Sequence, residues 1–150
     1  MTAVDLSIAR LEVASSEDVI RALAAALFAA GHVKASFESA AWARERRSPT
    51  GLPFPGVAVA LPHAEPDHVV SPAIAIASLA RPVTFRQMGS PAVKLEVSLV
   101  VMPALTSKEQ AASELSRLIQ VLQDEELRRK LVAAADSATL AAVLRGAFQP

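Results

Sequence analysis

The chain has 150 residues, with 15 basic side chains balanced by 15 acidic ones, so its formal charge at neutral pH is zero. That balance argues against a nucleic-acid surface or a polybasic membrane patch, and the absence of cysteine excludes disulfides, thiolate metal sites and a cysteine nucleophile. With 52% hydrophobic residues, a length of this order suits one domain, expected here over residues 1–150, with a core that needs no covalent staples.

From the start, MTAVDLSIARLEV has charges every few residues and no apolar run of signal-peptide type. No apolar stretch in the chain approaches the ~20 residues that a membrane helix requires. A cytoplasmic location without membrane insertion is therefore the expectation. Val4, Leu6, Ile8, Leu11 and Val13 alternate loosely and fit either a short strand or a helical turn. Ser15-Ser16-Glu17-Asp18 places a hydroxyl cap and carboxylates at a helix start, and Val19, Ile20, Leu23, Leu27 and Phe28 follow at helical spacing up to a stop at Gly31. A second helix is expected from a cap at Ser36 through Phe37 and Trp42 to a cationic end at Arg44, Arg46 and Arg47. Cations at that end complement the helix dipole.

The stretch from Ser48 to Pro66 reads SPTGLPFPGVAVALPHAEP. Val57 to Leu61 has no polar member, which predicts a strand buried on both faces. Pro62 cannot donate to a sheet ladder and biases Leu61 towards extended geometry, so the strand should end there and deliver His63 at its carboxyl edge. In α/β proteins that edge is where ligands and chemistry collect, although an ordinary loop histidine fits the same position. His68 follows five residues later with carboxylates between. The intervening Pro66, the non-helical spacing and the lack of a third strong ligand nearby argue against a metal site, and no cofactor is expected.

Pro72 leads into Ala73–Ala80, a strand with β-branched residues on one face and alanines on the other, the latter allowing close helix packing. Arg81-Pro82 is expected to break it, leaving Val83–Phe85 as a short edge piece and Gln87–Pro91 as a turn. Lys94–Met102 reads as a strand entering the sheet centre, with Pro103 ending it. Ser107 and Asp124 cap two further helices, and a third starts at Ser137 and closes at Gly146. Strands alternating with helices, and no internal repeat, predict an α/β domain in which a mixed β-sheet is flanked by α-helices in layers.

Pro49-Thr50-Gly51-Leu52, then GVAVALPH, together with the continuation PDHVVSPAIAIASLARPVTFRQMG, resembles the enzyme IIA domains of the phosphoenolpyruvate:sugar phosphotransferase system, in the fructose/mannitol superfamily and most of all its galactitol-type branch. The resemblance runs along nearly the whole chain. It implies the mannitol/fructose-type enzyme IIA fold and identifies His63 as the phosphorylated residue. By the same resemblance, Arg44-Glu45 precedes Pro49-Thr50 at the family's distance, making Arg44 the cation beside the phosphohistidine. A guanidinium suits that role because it stays charged and holds phosphoryl oxygens in a fork. Many relatives carry a second histidine at the start of the helix after the third apolar strand. Here that place reads Glu109-Gln110-Ala111, so Gln110 and Thr50 are the candidate hydrogen-bond donors to the phosphoryl group.

The implied function is a phosphocarrier that accepts a phosphoryl group from the phosphohistidine of HPr and passes it to a cysteine of enzyme IIB during sugar or sugar-alcohol uptake. Leu52, Phe54 and Val69 flank His63 in sequence and are candidates for an exposed docking patch, with a place in the core as the alternative. A regulatory, nitrogen-related enzyme IIA that keeps the histidine and acts by binding other proteins is the rival reading. No Walker-type loop supports direct ATP use, and no G-x-S-x-G elbow supports a serine hydrolase.

Overall fold

The computed structural model describes residues 3–148. Its central feature is a long hairpin of β4 (Ala73–Gln87) and β5 (Ser90–Ala104), paired antiparallel and turned at Gly89, whose φ of 77° favours glycine. β1 (Val4–Leu11) lies parallel to β4 on one side, with Val4 opposite Ile74 and Ile8 opposite Ala77. On the other side β3 (Ala58–Ala60) lies parallel to β5, with Val59 opposite Leu99. A short β2 (Gly51–Leu52) runs antiparallel to β3 and also meets the far end of β4, where Gly51 pairs with Gln87. A Cβ on Gly51 would collide with the Arg86 carbonyl oxygen, so this junction requires glycine.

Period-two alternation along β4 sorts the two cores. Ala73, Ala75 and Ala77 face the cluster that includes Val19, Ile20, Leu23 and Leu27 of α1 (Ser16–Ala29) and Phe37 and Ala41 of α2 (Phe37–Arg47). Ile74 and Ile76 face Leu118 and Leu122 of α3 (Lys108–Leu122), Leu131 of α4 (Glu125–Ala133) and Leu140 and Leu144 of α5 (Ser137–Ala147). The sheet is thus a mixed one between helical layers. The face towards α1 and α2 carries small alanines and the face towards the carboxyl-terminal helices carries larger isoleucines, each filling its own core.

Several local expectations change. Residues 4–11 are a strand, with an irregularity between Ile8 and Leu11 where Arg10 takes a φ of 57°. The Arg10 N–H there is received by the buried Ser78 hydroxyl at 2.8 Å. Arg81-Pro82 does not end β4; the register shifts between Ser78 and Val83 and the strand resumes, a bulge absorbing the proline. Pro103 likewise sits inside β5 opposite Ile74, at a position where the ladder asks for no N–H from it. Ser36 does not cap α2: its backbone is helical and its hydroxyl instead meets Nδ1 of His68 at 2.8 Å. Asp136 supplies the cap of α5, accepting from the Thr139 N–H, and the helix runs past Gly146 to Ala147.

Candidate active site

β3 is three residues long, and Val59, Ala60 and Leu61 are each at most 1% exposed, which anchors the chain immediately before His63. Pro62 carries the backbone out of the sheet, and the imidazole folds back so that Nδ1 lies 2.8 Å from the Leu61 carbonyl oxygen. A carbonyl only accepts, so the proton sits on Nδ1 and the Nε2 lone pair is left free. Burial of the largely buried ring is the main influence pulling the His63 pKa below its ordinary 6.5; the Leu61 hydrogen bond opposes it, Arg44 lowers it further and Glu65 raises it. The resulting neutral imidazole has the protonation state of a nucleophile.

Nearby, Arg44 of the last turn of α2 places Nε 3.7 Å from a Glu65 carboxylate oxygen. Arg44, Thr50 and His63 line one cavity of about 210 Å³, whose apolar walls are Leu61, Met88, Leu115 and Ile119. A cation and an imidazole therefore share one recess with ample room for a phosphoryl group. Of the residues expected from sequence, three converge here. Gln110 is not among the lining residues; its Oε1 accepts from the Thr106 N–H and hydroxyl, both at 3.1 Å, tying down the start of α3.

Thr50 is 1% exposed and its hydroxyl is fully engaged. It donates to Oε1 of Glu45 at 2.8 Å and accepts from the Leu61 N–H at 3.0 Å, while the Thr50 N–H donates to Oε2 of Glu45 at 2.9 Å. Burial pushes the Glu45 pKa up, against the hydrogen bonds from Thr50 and the nearby Arg44, which pull it down. The sequence names Glu45 only as the partner of Arg44 in the family motif and gives it no role of its own, because it sits among arginines at a helix end, a setting that ordinarily faces water. Its place in that motif, five residues before Thr50 and across the turn between α2 and β2, was the available signal.

Arg128 was also missed. It is completely buried and donates to the carbonyls of Pro55, Val57, Leu122 and Gln123, with its guanidinium 4.8 Å from the Phe54 ring centroid. It therefore pins the segment leading into β3 to the end of α3. In sequence it lies in Glu125-Glu126-Leu127-Arg128-Arg129-Lys130, indistinguishable from solvated neighbours.

The apolar patch expected around His63 takes a different form. Val69 is buried in the core with Val33 and Phe37, and Leu52 and Phe54 pack half-buried against the carboxyl-terminal cluster. Met88, 42% exposed, is the open apolar residue at the cavity instead. His68 and His32 bind Ser36 and Ser71 through Nδ1, at 2.8 and 2.9 Å, so each histidine ties two loops together. Among the described residues no group of three or more His, Cys, Asp or Glu side chains is placed to hold a metal ion. No helix among them is long and apolar enough to cross a membrane.

Residues 2–146 match the family of phosphoenolpyruvate-dependent sugar phosphotransferase system EIIA 2 domains. The chain belongs to that family. It is 30% identical over 138 residues to Multiphosphoryl transfer protein 2 of Escherichia coli K12, a match that covers 87% of this chain and 15% of that protein. The chain thus spans about 15% of the length of this curated relative. Among solved structures it is similar to a PTS IIA protein, PtxA, of Streptococcus mutans, with a TM-score of 0.78 at 21% identity over 95% of this chain and 88% of that one. It is also similar to enzyme IIA mannitol in its complex with phosphorylated enzyme IIB mannitol from Escherichia coli, at a TM-score of 0.73 and 21% identity over 93% and 94% of the two chains. Nitrogen regulatory protein IIA-Ntr of Neisseria meningitidis is similar too, at a TM-score of 0.69 and 23% identity over 93% and 92%. The mixed sheet between helical layers is the fold these proteins share. Family membership gives the chain the general phosphotransfer role of EIIA domains of the phosphoenolpyruvate-dependent sugar phosphotransferase system.

Proposed function

We propose that residues 1–150 form one domain acting as a cytoplasmic phosphocarrier of galactitol type, in which Nε2 of His63 takes a phosphoryl group from the phosphohistidine of HPr and passes it to a cysteine of enzyme IIB. The observation that carries this reading is the 2.8 Å bond between Nδ1 of His63 and the Leu61 carbonyl, which leaves Nε2 as the free lone pair in a cavity shared with Arg44. The Nε2 lone pair attacks phosphorus while the phosphorus–nitrogen bond to HPr breaks, and that electron pair returns to the HPr imidazole. In the second step the cysteine thiolate of enzyme IIB attacks phosphorus and the Nε2–phosphorus bond breaks, restoring neutral His63. Phosphoryl transfer of this kind depends on positioning and charge neutralisation more than on covalent help from the protein. Arg44 supplies the charge. Thr50 contributes through Leu61, since its hydroxyl proton goes to Glu45, and Gln110 has only its amide nitrogen left to donate. The galactitol assignment rests on the sequence running from Pro66 to Gly89.

Intact-mass analysis after incubation with phosphoenolpyruvate, enzyme I and HPr tests the acceptor. A single acid-labile phosphoryl group is expected, absent from His63→Ala while the fold is kept. Undiminished labelling of that variant, or label on His32 or His68, would overturn the assignment. Rapid, reversible discharge to a cognate enzyme IIB is the expected second step. A stable phosphoprotein that never discharges, yet binds another protein differently with and without phosphate, would instead establish the regulatory role.

A further inference from the structure

α2 turns a single stripe towards the sheet, formed by residues four apart: Phe37, Ala41 and Glu45 are its buried members. The first two are apolar. The third is a carboxylate only 6% exposed, at a position where an apolar side chain would continue the stripe. Removing a carboxylate from water is costly unless its oxygens are satisfied, so a buried one calls for a reason. Both oxygens are taken by one residue, Oε2 by the Thr50 N–H and Oε1 by the Thr50 hydroxyl.

A carboxylate has no proton to offer, and that decides the direction of everything beyond it. The Thr50 hydroxyl can rotate freely in principle, but a flanking acceptor commits its proton to Glu45 and turns a lone pair towards the Leu61 N–H at 3.0 Å. Leu61 is then gripped from its amide side by Thr50 and restricted on the other side by Pro62. Its carbonyl is presented to Nδ1 of His63 at 2.8 Å. The bonds run in series from Glu45 through Thr50 and Leu61 to the imidazole, and all but the ring lie out of solvent.

We propose that Glu45 is a positioning residue for phosphoryl transfer, holding His63 in its Nδ1–H tautomer and aiming Nε2 through Thr50 and the Leu61 backbone. This rests on the reading that Nε2 of His63 is the phosphoryl acceptor. Neighbouring Arg44 faces the cavity and meets the phosphoryl group; Glu45, one residue on, faces inward and sets the nucleophile. One helix end therefore supplies both the charge and the alignment.

The test uses the tautomer of His63, read by long-range proton–nitrogen correlation in the unphosphorylated chain, beside single-turnover transfer from phosphorylated HPr. Glu45→Gln is nearly isosteric but gives one oxygen and one donor where two acceptors stood. Thr50→Val keeps the shape of the side chain and removes the hydroxyl. Each is expected to lower the Nδ1–H population and to slow transfer about 10- to 100-fold, the scale of a small misplacement of a reacting group. The KM for HPr should stay within about twofold, because docking does not use these atoms. The double variant should be no slower than the slower single, as expected of groups acting in one chain. Thr50→Ser should restore the tautomer and the rate. Should Glu45→Gln fail to fold, the contrast between Thr50→Val and Thr50→Ser decides alone.

An unchanged tautomer in both Glu45→Gln and Thr50→Val, whatever their stability, would overturn the proposal. So would a shifted tautomer with transfer at the wild-type rate, or penalties that multiply in the double variant. The tautomer needs no phosphoryl donor, so a failure of this chain of bonds is separable from a failure of His63 to become labelled in the unsubstituted protein.

Discussion

Replacing Arg128 by alanine removes a charged donor from four backbone carbonyls at once. The carbonyls of Pro55 and Gln123 belong to exposed residues, and water can replace the guanidinium there. Those of Val57 and Leu122 belong to buried residues, where water does not readily take its place. Hydrogen bonds from a charged donor contribute about 1.5–3 kcal/mol each, so two unreplaced bonds correspond to roughly 3–6 kcal/mol. Relief from burying a cation offsets part of this, giving an expected loss of about 3–5 kcal/mol, the range seen when one side of a buried polar arrangement is deleted. Arg128→Lys keeps the charge but not the fork, and a single ammonium cannot serve the carbonyls before β3 and at the end of α3 together, so its loss should be about half as large. Equilibrium urea unfolding followed by circular dichroism, with the slope checked for constancy, measures both. A loss under about 1 kcal/mol in Arg128→Ala with an unchanged slope would refute the view that this residue clamps the approach to β3.

Arg44→Ala is expected to slow phosphoryl acceptance about 10²-fold or more, the effect of losing one preorganised electrostatic contact, and Arg44→Lys should not fully restore it; rapid-quench kinetics within about twofold of wild type would remove Arg44 from the site. His63 should titrate below 6.5 by NMR, because burial disfavours its charged form. Between that depressed value and 6.5 the unfolded chain binds a proton that the folded chain does not, so the contribution to stability is complete above about 6.5 and declines as the pH falls towards the folded value. Phosphoryl acceptance should accordingly hold steady as the pH falls through 6.5 and drop only at the lower titration, which a pH–rate profile checks.

Much of this protein follows from patterns that need no partner in space. The alternation of alanine with isoleucine along Ala73–Ala77 encodes two unlike faces, and these faces receive the two helical layers. The unbroken apolar run before Pro62 encodes a buried strand with His63 just beyond its end, and the match of motif and spacing around Arg44 and His63 agrees with their meeting in one cavity. Such features are legible because periodicity and proline act within a few residues of themselves. Proline's local effect also misled at Pro82 and Pro103, where a bulge and an undemanding ladder position let long strands continue.

What tertiary structure decided are the polar groups whose meaning lies in their burial. Glu45 and Arg128 look like surface residues of charged helix segments, and only the packing of α2 against the sheet and of α4 beneath the Pro55–Val57 segment takes them out of water. Once buried, each must find partners, and the available ones are Thr50 for the first and backbone carbonyls up to 73 residues away for the second. Likewise Met88, from the hairpin turn, and Leu115 and Ile119, from α3, join the His63 cavity through the fold alone. The cost of an unpaired buried polar group gives these contacts their direction, and burial is a property of the whole chain that no local stretch contains.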